Sequence, residues 1–160
     1  VNKPITCYMV LKATRMAQKH RIMVKASFIM GFPWEGEEEL KATIKFAKKL
    51  DADLTFFNVL NPYPGTPVYD EVIANRLFEQ PDNFEGHIIH GTDPLLKTTK
   101  LTSRQLRYWT GRAVLEFYLR PSYILRKLSR VRSWGEFKSN FMGGNGLLKL
   151  AFEKVLVGRA

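Results

Sequence analysis

A chain of 160 residues, 45% hydrophobic and 25% charged, has the size and composition of about one globular domain, which excludes a disordered or collagen-like polymer. No uncharged apolar run reaches the about 18 residues of a spanning helix, and residues 1–12 lack a cleavable signal pattern, so a cytoplasmic location is expected. The formal charge of +10 is uneven: residues 1–96 hold 11 Lys/Arg against 12 Asp/Glu, residues 97–160 hold 14 against 3, and a basic unit of that kind faces an anionic partner.

Pro4 and Thr6 open a helix in which Met9, Val10, Ala13, Met16 and Ala17 recur at helical spacing, and Lys19, His20 and Arg21 close it with charge suited to its negative end. The one cysteine, Cys7, lies in this helix. It can form no internal disulfide and cannot alone hold a zinc ion or an iron–sulfur cluster, so a packed thiol is expected and no metal site is assigned. Residues 22–30 are almost continuously apolar, as a strand covered on both faces requires. Gly36 and Glu37 start a second helix, with Leu40, Thr43, Ile44, Ala47 and Leu50 on its inner side. Its glutamates lie at the start and its lysines at the end, in accord with the helix dipole, which also accounts for residues 35–39 better than a cation site does.

Residues 54–60 (LTFFNVL) form a second buried strand. A rigid turn follows, in which Thr66 caps a third helix reaching about Leu77 and Pro67 takes its first position. Helix–strand–helix–strand–helix with short links implies βαβ crossovers and a parallel sheet. Two strands apolar throughout do not close such a sheet, so the missing cover is expected from an N-terminal half or a partner chain.

Residues 78–100 read as an irregular connector. His87 and His90 lie within it at a three-residue step, with no helical pattern to converge them on a metal. Thr102 or Ser103 caps a long helix carrying Leu106, Trp109, Ala113 and Phe117, which Pro121 ends. Residues 123–131 form a short basic helix, residues 143–146 (GGNG) a flexible break, and residues 147–157 a last amphipathic helix. Arg120, Arg126, Lys127, Arg130 and Arg132 interleave with Tyr118, Tyr123, Ile124, Leu125, Leu128 and Trp134. Three readings stay open there: a packed helix with a solvated basic face, docking on an anionic membrane surface, or nucleic-acid contact. No recognised nucleic-acid module appears, so that partner is not expected.

The order of strand, GFPWE, acidic helix, strand and NPYPGTPVYD resembles the later half of a radical S-adenosylmethionine (SAM) barrel. It is most similar to the cobalamin-associated branch that contains the anaerobic magnesium-protoporphyrin ester cyclases. Ile29 to Glu35 match the fifth-strand motif, Pro62 to Pro67 match the sequence after the sixth strand, and Leu101 to Pro121 resemble the segment after the barrel; the likeness covers about residues 1–130.

The resemblance implies an α/β fold. Residues 1–77 would be a partial (β/α) barrel, the C-terminal strands and helices of a radical SAM barrel, followed by the connector 78–100 and an α-helical C-terminal tail, 101–160. It further implies that Ile29, Gly31, Pro33, Glu35, Asn58 and Asn61 line the adenine side of SAM, with no acid–base catalyst among them. The intact parent would use SAM and a 4Fe–4S cluster, and in this branch cobalamin, for radical methylation, cyclisation or rearrangement.

Two departures stand out. Trp34 occupies a usual glycine position, and the three-cysteine cluster loop is absent. A C-terminal fragment of a radical SAM enzyme, inactive alone, is therefore expected. The alternative is a non-catalytic binding module whose basic tail docks on a membrane surface or a partner.

Overall fold

Local signals set the element boundaries. The structure, a computed structural model, describes residues 4–79, 96–130 and 134–159. The connector's core and the His87–His90 pair lie outside the described residues. The Thr6 hydroxyl accepts from Met9 N–H to start α1, Cys7–Lys19. The strand β1, Lys25–Met30, leads through a turn into α2, Glu37–Leu50, and the Glu39 carboxylate accepts the Gly36 N–H at 2.7 Å at that helix start. That hydrogen bond holds the Glu39 carboxyl below its ordinary range. Asp51 ends α2 in the left-handed region at φ 53°. β2, Leu54–Val59, is followed by α3, Pro67–Ala74, with Thr66 as cap and Pro67 in the first turn. Helix α3 stops short of Leu77 because the chain reverses at Asn75 and Arg76, and Leu77 N–H returns to the Val72 carbonyl.

The tail holds three helices: α4, Ser103–Tyr118, α5, Pro121–Arg130, and α6, Trp134–Arg159. Thr102 and Gln105 form a reciprocal cap at the start of α4. The expected break at residues 143–146 is absent, and α6 runs through it. Each interior glycine costs about 1 kcal/mol of helix propensity. The extensive packing of α6 on α4 offsets that cost. Gly111 permits the approach: a Cβ there would lie 2.7 Å from the Ala151 carbonyl oxygen.

The strands pair in parallel, with Lys25 opposite Leu54 and Ile29 opposite Asn58. One face carries the core. Met30 and Phe57 pack with Leu40, Ile44 and Ala47 of α2 and with Leu106, Trp109, Ala113 and Phe117 of α4. A second cluster joins Leu60, Val72, Leu77 and Leu96. Among the described residues nothing shields the other face, and Ser27, Ile29, Phe56 and Asn58 are exposed there. The alternation has period two because successive side chains of a strand point to opposite faces. Helix α1 also departs from its apolar stripe: Met9, Ala13 and Met16 are exposed, while Thr14 is buried.

Candidate cofactor-binding site

The strands end side by side, Met30 beside Val59, and Met30, Gly31 and Leu60 are buried at those ends, while the face that carries Ile29 and Asn58 is uncovered. Ile29, half exposed at 50%, and Asn58 are register partners on that face. Asn58 Nδ2 donates to Ser27 Oγ at 2.9 Å, which fixes the amide across the two strands. Gly31 follows at φ 94°, a backbone state that favours glycine, and a Cβ there would meet Leu106 Cδ1 at 3.3 Å. The turn after β1 is thus held close over the first part of α4.

Glu35 holds this turn from within. It is buried, and its Oε2 accepts from Gly31 N–H at 2.6 Å and Phe32 N–H at 3.0 Å. The carboxylate therefore faces the loop's own backbone. Pro33 is also buried, and its carbonyl accepts from both the N–H and the hydroxyl of Thr99, each at 2.9 Å. Thr98 completes the clamp. Its hydroxyl donates to the Glu35 carbonyl at 2.8 Å and accepts from Lys100 N–H and Leu101 N–H at 3.1 and 2.9 Å. Trp34 points outward, 53% exposed, with its ring stacked on Phe32 at a centroid distance of 5.0 Å. Asn61 is half-buried one residue beyond Leu60, whose N–H donates to the Met30 carbonyl at 2.8 Å.

The six residues assigned from sequence thus divide in two. Ile29 and Asn58 share the open face, with Asn61 half-buried just beyond β2, whereas Gly31 is buried in the turn against Leu106 and Val59. Pro33 and Glu35 lie beneath, in the loop's support. Sequence reasoning missed Ser27 and Phe56, which share the open face, and the Thr98–Thr99 clamp. The first two were legible as i−2 neighbours of Ile29 and Asn58. The threonines carried no comparable signal, because their partners lie more than sixty residues away.

The open face, with Ile29 and Phe56 beside the Ser27 hydroxyl and the Asn58 amide, suits a flat, weakly polar group. The described residues include no cluster of three or more His, Cys, Asp or Glu able to hold a metal ion, and Cys7 is exposed.

No family model matches the chain. It is 38% identical over 128 residues to an uncharacterized methyltransferase of Pyrococcus horikoshii, an alignment covering 80% of this chain and 27% of that protein. It is also similar to tRNA-2-methylthio-N(6)-dimethylallyladenosine synthases. The Vibrio cholerae protein is 32% identical over 88 residues, 49% of this chain and 19% of that protein, and the Buchnera aphidicola protein is 41% identical over 49 residues. The chain thus spans about a quarter of the first relative and about a fifth of the second, and it is homologous to a part of each.

Proposed function

We propose that these residues form the C-terminal part of a radical SAM barrel in an enzyme that transfers a methyl or methylthio group to an unactivated carbon. The observation that carries this reading is the uncovered strand face, where Ile29 and Asn58 are exposed register partners, next to the GFPWE turn that follows Ile29. The names of the relatives, a methyltransferase and methylthio synthases, support group transfer over cyclisation. The finer placement in the cobalamin-associated branch rests on the GFPWE and PYPGTP motifs alone.

In this reading Ile29 packs against adenine, Asn58 and Asn61 supply polar edges, and Gly31 sets the turn that follows Ile29. Glu35 and Pro33 keep the loop in place and do not touch the ligand. Bound SAM supplies a sulfonium bond whose reductive cleavage opens unactivated C–H bonds. The single cysteine of this chain does not fit a 4Fe–4S cluster, so its ligands and the remaining strands come from a preceding segment or a partner chain.

Anaerobic reconstitution of the full-length protein with iron, sulfide, reductant and SAM tests the proposal. The expected result is 5′-deoxyadenosine, reduced at least about tenfold by Gly31→Val, a change of about 1.4 kcal/mol or more in transition-state stabilisation. Failure of the loaded wild-type protein to form 5′-deoxyadenosine would sink the reading. Its formation by these 160 residues alone would sink the partition of the site.

A further inference from the structure

The opposite end of the sheet carries a second constellation. Helices α1 and α2 both finish at the amino ends of the strands, and α5 is tied to the same place. Gln18 Nε2 donates to the Asp51 carbonyl at 2.9 Å, Arg120 Nη2 reaches Asp51 Oδ1 at 2.9 Å, and Arg126 Nη1 reaches Asp51 Oδ2. The Tyr123 hydroxyl donates to the Asp53 carbonyl at 3.0 Å. These bonds bring three distant stretches of sequence onto one surface.

Two exposed apolar pairs belong to the segments joined there. Ile22 and Met23, in the turn before β1, are 60% and 64% exposed, and Leu125 and Leu128 of α5 are 67% and 52% exposed. The same segments carry cations: exposed Lys19 and Arg21 at the end of α1, exposed Lys49 at the end of α2, and Lys127 on α5, half-buried over the Tyr123 ring. The carboxylates at this end are engaged. Asp51 is held by Arg120 and Arg126, Asp53 Oδ2 accepts from Val24 N–H, and Glu116 on the flank binds Lys48 and Arg112.

We infer that this end of the molecule docks on an anionic lipid surface, with Ile22, Met23, Leu125 and Leu128 entering the headgroup boundary and the accompanying lysines and arginines meeting lipid phosphates. The charge pattern selects the occupant. Protein interface cores are depleted in lysine, whereas exposed apolar residues interspersed with cations match an anionic bilayer surface. Single-stranded RNA is recognised by exposed aromatic stacking, and here Tyr123 is buried with its hydroxyl on backbone. No described helix is long and apolar enough to cross a membrane, so the contact is peripheral for these residues. Gly31 and Asn58, at the carboxyl ends, face away from the docked surface. The inference does not depend on the radical SAM reading.

The full-length protein is sedimented with vesicles of phosphatidylcholine alone or with about 30% phosphatidylserine. At about 0.1 M salt we expect about tenfold more protein on the anionic vesicles, falling sharply at about 0.5 M. The double variants Leu125→Glu/Leu128→Glu and Ile22→Ser/Met23→Ser each lose that retention with unchanged unfolding midpoints, and Lys19→Glu/Lys49→Glu loses the preference for anionic lipid. Equal retention on both vesicles, or none, overturns the proposal. So does binding of poly(U) RNA without vesicle binding, or a large drop in unfolding midpoint in both apolar variants, which would show this face covered by protein.

Discussion

Glu35 shows how one side chain fixes a loop that a ligand would need. Two adjacent N–H groups at the turn have no strand partner, and a buried carboxylate satisfies both. Glu35→Gln keeps an acceptor but loses the charge, so unfolding free energy measured in urea falls by about 1–3 kcal/mol. Thr98 supports the same loop through three hydrogen bonds from one hydroxyl. Thr98→Val keeps the shape and strands the Lys100 and Leu101 N–H groups, which lowers stability by about 1–3 kcal/mol in the same experiment. A loss under about 0.5 kcal/mol would mean that water replaces the hydroxyl. Burial pushes the Tyr118 phenol up, against a hydrogen bond with Thr55. That hydroxyl accepts from Thr55 N–H at 3.0 Å and donates to its carbonyl at 2.8 Å, so one phenol pairs both backbone groups of a residue in β2. Tyr118→Phe exposes this pair to exchange, and faster amide exchange at Thr55 is the expected signal.

At the scale of elements, α4 behaves as part of the sheet domain. It packs on α2 and β2, and its Leu106, Trp109, Ala113 and Phe117 complete the main core. Burial of the Glu116 carboxyl favours its neutral form, but hydrogen bonds from Lys48 of α2 and Arg112 bring it below the ordinary 4.5. Because the folded group holds its proton less tightly, the tie stabilises the fold fully above about pH 4.5 and is lost as pH falls through the depressed folded value. Unfolding midpoints should therefore drop more steeply on acidification in the wild type than in Glu116→Gln. Helix α6 depends on close approach rather than on charge. Gly111→Ala forces a Cβ against the Ala151 carbonyl and should separate α4 from α6, with about 1–3 kcal/mol lost and residues near 151–158 newly open to proteolysis. Unchanged protection there would show that α6 can shift along α4.

For the molecule as a whole, the two ends of one small sheet differ in chemistry. The carboxyl ends carry a buried turn held by Glu35 beside a mixed, exposed strand face; the segments at the amino ends carry cations and exposed aliphatic side chains. Helix order along the chain was legible because its signals are local. Thr6, Thr66 and Thr102 cap, Pro121 stops α4, and the spacing of Leu40, Ile44, Ala47 and Leu50 defines a buried face. Residues 143–146 misled because glycine propensity is weak beside helix–helix packing. Apolar composition marked both strands as needing cover from outside this chain, but it did not say which face lacks it; among the described residues that is the face of Ser27, Ile29, Phe56 and Asn58. For the arginines of the tail three readings were open, and none of them located the pairing of Arg120 and Arg126 with Asp51.

What the sequence determined by itself was the succession of elements, the parallel sense of the strands and the motif at the end of β1, since each follows from residues a few positions apart. Only the tertiary structure decided which strand face stays open, that Thr98 and Thr99 clamp the loop, and that α1, α2 and α5 meet at one basic end. Those depend on contacts between residues far apart in the chain, and no local periodicity encodes which distant partner will satisfy a given hydrogen bond.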